Sequence, residues 1–331
     1  MYTYRLLLLF ILVFSVVNSA FTQVLEGVYE GLDNDSSYYD IYQLSENETW
    51  IGGEYGVLKR MHSDGSLSNI NIPNKGSNIL KFLHLDDYMY ISADHGIIYK
   101  YDLKTGNCSV TQFKGFKHRC FYDLAYDGKG NLIVSGGSSG IGRGKKRIPN
   151  GFIATIDTSL SQQPQVVWSN TFKFVWALAE HPESGISAAV FNGVSSRIYH
   201  AEFDGLNEWN RGEKVKGLIH ALQPINGRLA YSGCRSIRYH KTGIWGFENN
   251  KSTYRQVDEA GIICNLLLIK GNIYGFSSQG NFYCLSEDGN QDAPIYQTHD
   301  GFALYEAIMK NDDTVILVGH GKSAFILKIT E

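Results

Sequence analysis

The sequence predicts an all-β fold: a seven-bladed β-propeller of four-stranded antiparallel blades, with a strand near the N-terminus closing the last blade. Three observations carry that expectation. One strand–turn–strand pattern recurs at intervals of roughly 40 to 45 residues, the spacing of propeller blades. The turns carry Asp-Gly and Asn-Gly pairs, whose left-handed dihedrals suit tight hairpins. Composition agrees: of 331 residues 13% are aromatic, with 21 Tyr and 17 Phe, and Gly is 35 against 6 Pro, usage that favours strands and turns over long amphipathic helices.

Blade one reads Asp40 to Leu44, Thr49 to Gly53, then Gly56 to Arg60. Blade two repeats it as Leu80 to Leu85, Tyr88 to Ser92, then Gly96 to Tyr101. Later copies begin near Cys120, Phe174, Leu218, Ile262 and Phe302. Turns between first and second strands carry Asp127-Gly128, Asn226-Gly227 and Lys270-Gly271-Asn272; those between third and fourth carry Asp64-Gly65, Asp204-Gly205 and Asp288-Gly289. The seventh copy has no fourth strand after Ala324 to Ile329, while Val24 to Tyr29 is a strand without a blade. Pairing the two completes the ring and hides an exposed sheet edge. Six or eight blades are the alternatives if one strand is miscounted.

Ahead of the repeats, Arg5 and the uncharged run Leu6 to Val17 precede the small residues Ser19 and Ala20. A membrane span needs roughly 20 apolar residues and this run has about a dozen, so residues 1–20 read as a cleaved signal peptide. Residues 21–331 are then one extracytoplasmic propeller domain. The formal net charge of −3 argues against general nucleic-acid binding, which favours basic domains. The cysteines number 5, so one thiol at least has no partner within the chain. Cys234 with Cys264 is the preferred bridge, and buried free thiols are the alternative. No C-x-x-C pair suggests zinc, and nothing calls for a cofactor. Asn34, Asn47, Asn107 and Asn250 open Asn-x-Ser/Thr triplets, glycan acceptors if the secretory route is eukaryotic.

In a propeller the loops joining second to third strands share a face with those that connect blades. That rule gathers His95, Arg235, His320 and Lys322 with His118, Arg119 and His299, a face where basic groups outnumber acids and an anionic ligand would be steered. Gly140 to Arg147 adds Arg143, Lys145, Lys146 and Arg147 on a glycine-rich insertion suited to clamping sulfate, carboxylate or phosphate. An ordinary solvated loop surface would have the same composition. His95 and His320 each precede a Gly at equivalent positions. With a Tyr such as Tyr55 or Tyr122, they supply candidates for the proton abstraction that a polysaccharide lyase performs beside a neutralised carboxylate. The plainer reading gives each histidine only local hydrogen bonds. Gly136 to Gly140 matches G-x-S-x-G, but no helix follows, as a nucleophile elbow requires.

Ser63-Asp64-Gly65, Phe203 to Trp209 and Ser286 to Gly289 resemble degenerate turns of neuraminidase-like and photosystem-stability-factor-like repeats. Val175 to Pro182 is similar to the strand that opens a WD-type repeat, without its Gly-His and Trp-Asp pairs. The resemblance spans the expected mature chain and implies the propeller and little else, because propellers host unrelated functions. Three functions are therefore carried forward. The first is a secreted module that binds an anionic glycan or a protein partner through one loop face. The second is a lyase or hydrolase of an acidic polysaccharide. The third, implied only by the stability-factor resemblance, is an assembly factor associated peripherally with a membrane complex.

Overall fold

The computed structural model describes residues 23–28, 36–73, 76–138, 150–171, 173–181, 185–236, 241–249, 255–285, 294–298, 301–312, 314–320 and 324–329. After β1 (Gln23–Val28), the chain lays down four strands at a time. Blade 1 is β2 (Tyr38–Ser45), β3 (Glu48–Gly53), β4 (Leu58–His62) and β5 (Leu67–Asn69). Blade 2 is β6 (Ile79–Leu85), β7 (Tyr88–Ala93), β8 (Ile97–Asp102) and β9 (Cys108–Gln112). Blade 3 is β10 (Arg119–Tyr126), β11 (Asn131–Ser138), β12 (Asn150–Asp157) and β13 (Gln165–Thr171). Blade 4 is β14 (Phe174–His181), β15 (Gly185–Phe191), β16 (Ser195–Glu202) and β17 (Asn210–Lys216). Blade 5 is β18 (Leu218–Ile225), β19 (Arg228–Cys234), β20 (Thr242–Phe247) and β21 (Arg255–Asp258). Blade 6 is β22 (Ile263–Ile269), β23 (Asn272–Ser277), β24 (Asn281–Leu285) and β25 (Pro294–Gln297). Blade 7 is β26 (Leu304–Asn311), β27 (Thr314–Gly319) and β28 (Ala324–Ile329), to which β1 adds the outer strand.

Every blade is thus a four-stranded antiparallel sheet, and the molecule is an all-β propeller. The first strand of each blade packs against the first strand of the next, and β26 returns to β2, so the ring closes. Closure is completed in register: Gln23 lies opposite Ile329, Val24 opposite Lys328 and Leu25 opposite Leu327. The blade starts read from the sequence fall within two residues of the observed ones. Helix enters only as three-residue 3-10 turns, among the described residues, at Glu54–Gly56, Lys114–Phe116 and Phe203–Gly205.

The alternation of apolar residues puts the core between neighbouring blades. Trp50 of β3, with no exposed surface, packs among Ile79, Phe82, Ile97 and Tyr99 of blade 2. Its ring meets Tyr101 edge-on at 5.0 Å, and its Nε1–H donates to Glu48 Oε1 at 2.6 Å. Burying a side chain of this size stabilises by about 2–3 kcal/mol, and the same arrangement recurs around Trp245 and Phe247 at the seam between blades 5 and 6.

The Cys234–Cys264 bridge is not formed; all 5 cysteines are free. Strand placement explains this. Cys234 ends β19 packed against Leu218 and Phe191, whereas Cys264 lies in β22 within the separate cluster of Phe276, Phe282 and Leu304. Burial pushes the Cys234 thiol up to about 11 and raises Cys264 further, so neither is a thiolate at neutral pH.

One irregularity repeats in every blade. The innermost strand slips register by one residue between Tyr38 and Asp40, Ile79 and Lys81, Phe121 and Asp123, Val175 and Ala177, Ile219 and Ala221, Ile263 and Asn265, and Leu304 and Glu306. The extra residues are Tyr39, Leu80, Tyr122, Trp176, His220, Cys264 and Tyr305. Such bulges tighten strand twist and re-aim side chains. Here they set one layer of mostly aromatic groups around the inner edge of the ring, directly followed in sequence by a polar layer.

Candidate functional site

The bulged layer lies toward the face that carries the second-to-third-strand loops. Tyr39 and Tyr305 meet at 5.6 Å between ring centroids, Tyr122 and Trp176 at 4.6 Å, and Trp176 and His220 at 5.9 Å. One residue further along the strand in blades 1, 2, 3, 6 and 7, a polar layer sews the blades together, whereas blades 4 and 5 carry Ala177 and Ala221 there. Asp40 accepts the Phe82 N–H at 2.6 Å, and Asp123 accepts the Leu178 N–H at 2.8 Å. Asn265 Nδ2 donates to Glu306 Oε1 at 2.8 Å, and from the bulged layer itself His220 Nδ1 donates to the Cys264 carbonyl at 2.8 Å. Lys81 reaches across this layer to Asp40 at 3.0 Å and Glu306 at 3.5 Å. Its side chain keeps 32% of its surface accessible and that of Asp40 only 3%, as expected of a group facing the axial opening.

Burial lifts Asp40 and Asp123 above the usual carboxylate range, Lys81 pulling against it in both. Burial also works against the Lys81 charge, but Asp40 and then Glu306 outweigh it and hold the ammonium in its charged form. His220 is pushed down by burial and is neutral at pH 7. One cation among three carboxylates makes this a polar belt that ties the inner strands of neighbouring blades together. Sequence reasoning missed it. The available signal was the recurrence of Tyr39-Asp40, Tyr122-Asp123 and Tyr305-Glu306 at the start of three blades.

Above the belt, a hydrogen-bonded path crosses the loop face from blade 7 to blade 3. His320 Nδ1 lies 2.7 Å from Ser37 Oγ, and the Ser37 N–H donates to Glu54 Oε2 at 3.0 Å. Tyr39 donates its hydroxyl to Glu54 Oε1 at 2.9 Å; burial, then that carboxylate, keeps the phenol protonated. The next residue, Tyr55, gives its N–H to Asn78 Oδ1 at 3.1 Å, and the Asn78 N–H goes to Asp94 Oδ1 at 3.0 Å. Asp94 Oδ1 also lies 2.9 Å from His95 Nδ1. Finally the Gly96 N–H donates to the Arg119 carbonyl at 2.8 Å, and the Phe113 N–H to the Gly96 carbonyl at 2.9 Å.

Blades 1 and 2 thus present the same device. Glu54-Tyr55-Gly56 and Asp94-His95-Gly96 each place an acid inward and a ring outward, with the ring-bearing residue left-handed at φ 55° and 58°. Tyr55 is 68% exposed, and the His95 side chain 48%. Left-handed backbone is costly for a bulky side chain, and such strain persists where the surroundings over-determine it.

The candidates from the sequence separate accordingly. His95 and His320 share a face but take different partners: His320 joins blade 1, whereas His95 stays with Asp94 and Ser77 of its own blade. Tyr122 does not join them as a base. It is packed on Trp176, its hydroxyl 3.4 Å from the Ser138 carbonyl, and burial raises its pKa. His118 and Arg119 follow the Lys114–Phe116 turn, with Lys114, Lys117 and His118 exposed and Arg119 half-buried. Arg235 is exposed on blade 5, its guanidinium donating to Gln256 Oε1 at 2.8 Å, away from that group. Arg143, Lys145, Lys146, Arg147, His299 and Lys322 lie outside the described residues. Gly136, Gly137 and Ser138 close β11, and Ser139 and Gly140, the rest of the G-x-S-x-G match, lie outside the described residues.

No family model matches the chain, and no curated protein does. Solved structures do. A structure of YCF48 bound to D1 peptide aligns with a TM-score of 0.63 at 12% identity, over 94% of this chain and 95% of that one. YCF48 from Cyanidioschyzon merolae aligns with a TM-score of 0.63 at 12% identity, over 93% and 98%. A catalytically inactive virginiamycin B lyase from Staphylococcus aureus with quinupristin gives 0.62 at 10% identity, over 93% and 99%. At such identities the likeness establishes the propeller fold and no function.

Proposed function

We propose that this propeller is a secreted binding module that captures an anionic glycan on its loop face, at the edge formed by blades 2 and 3. One observation carries the reading. The segment carrying the Lys114–Phe116 turn is clamped at both ends to Gly96, from the Phe113 N–H to its carbonyl and from its N–H to the Arg119 carbonyl, which sets exposed Lys114, Lys117 and His118 beside the exposed His95. Cations fixed on rigid backbone attract carboxylate or sulfate without paying for loop ordering at the moment of binding. The acidic belt lies deeper, beneath the aromatic layer, and acts on the fold. Secretion rests on the leader read at residues 1–20.

A protein partner is the second reading, favoured by one comparison: a propeller of the same shape is known bound to a peptide. Titration of the mature protein with neutral, carboxylated and sulfated oligosaccharides at low and moderate salt separates the two. The glycan reading expects binding confined to the anionic sugars and weakened by salt. Replacing Lys114 and Lys117 together by Gln should cost roughly fivefold in affinity, the scale of two exposed ion pairs. Binding to no sugar would remove the reading and leave the protein partner.

A further inference from the structure

Resting on that reading, we infer that Tyr55 is the stacking platform of the glycan site, a strained aromatic anchor held ready for a sugar ring whose acidic group faces the blade 2–3 cations. Tyr55 takes left-handed backbone, at φ 55° and ψ 26°, although its ring is 68% exposed and belongs to no apolar cluster among the described residues. Its backbone is nevertheless gripped on both sides. Asn78 Oδ1 takes its N–H at 3.1 Å, and its carbonyl receives the Gly76 N–H at 3.1 Å. Gly56, at φ 73°, completes the turn.

A position that favours glycine, occupied by an exposed ring and pinned to the neighbouring blade, is the signature of strain retained for a contact outside the chain. His95 of the next blade repeats the geometry, and the Tyr55–Asn78, Asn78–Asp94 and Gly96–Arg119 hydrogen bonds tie both backbones to the segment carrying Lys114, Lys117 and His118. A rigid ring with few rotatable bonds offers contact area at small entropic cost. An acidic sugar has an apolar C–H face and a charged edge, and this surface pairs an aromatic plane with cations in the same way.

The test replaces Tyr55 with Gly and, separately, with Phe, and reads thermal stability beside affinity for a heparin hexasaccharide. If the ring serves the ligand, Y55G relieves the backbone and raises Tm by about 2 °C, while affinity falls roughly tenfold or more, as for an anchor residue. Y55F keeps both at the wild-type level, since stacking needs the ring and not the hydroxyl. Unchanged hexasaccharide affinity in Y55G overturns the platform while leaving glycan binding intact. A lowered Tm in Y55G overturns the strain argument by showing that the ring supports the fold. If the wild-type protein ignores the hexasaccharide but binds an oligoglutamate probe, the glycan reading itself fails and the platform with it.

Discussion

Replacing Lys81 with Met is expected to destabilise the propeller by about 3 kcal/mol at pH 8, toward the lower end for a broken buried ion pair because the lysine faces the opening. The substitution fits the aliphatic stem, so the loss is electrostatic: Asp40, Glu306 and Asp123 would share the polar belt without a cation. The defect should depend on pH in a defined direction. Asp40 and Asp123 already titrate above the usual carboxylate range because burial disfavours their charged forms. Groups raised in this way add stability below the ordinary carboxylate range and lose it as pH climbs through the folded value. Removing Lys81 raises them further, so the deficit should shrink from pH 8 to pH 5 as the carboxyls take up protons. Urea melts of wild type and variant at the two pH values measure it. A deficit that does not vary with pH would assign the cost to packing instead of charge.

Deleting residues 23–28 should have an effect of similar size. The β1–β28 ladder joins the start of the chain to its last blade, and a few backbone hydrogen bonds at about 1 kcal/mol net each give a loss of about 3–4 kcal/mol. The larger consequence is the bare edge of β28, a template for pairing between molecules. A lower melting temperature together with concentration-dependent aggregation in size-exclusion chromatography is the expected outcome. A truncated chain that stays monomeric and melts as wild type would mean that β1 is not what holds blade 7. Cleavage of the expected leader after Ser19 or Ala20 would leave this strand in place.

The propeller was legible because its signals are local and repeated. Asp127-Gly128 demands a particular turn, and the apolar run Leu132-Ile133-Val134 that follows it reads as the buried strand it forms. The orphan Val24 to Val28 found its partner because a three-stranded last blade leaves an edge to fill. The polar belt was not legible. In Leu80-Lys81-Phe82 the lysine looks like any solvent-facing residue of an alternating strand; only the register slip after Ile79 turns it inward to Asp40. Tyr55 stood out in the sequence only as a candidate base; its left-handed backbone was hidden for a related reason, since tyrosine is no turn residue. Its parallel with Asp94-His95-Gly96 was written in the chain but gains meaning only when both residues prove left-handed. The bridge between Cys234 and Cys264 failed because sharing a face does not bring two strands' side chains together, and each sulfur packs into its own apolar cluster.

Backbone amide exchange with and without a saturating sulfated hexasaccharide tests most directly that the loop face is where this protein binds. The account predicts added protection over residues 54–56, 76–78, 94–96 and 114–119, with no change at the turns of the opposite face, Glu46-Asn47 and Thr105-Gly106. Protection centred on those opposite turns, or spread evenly over the ring, would contradict it.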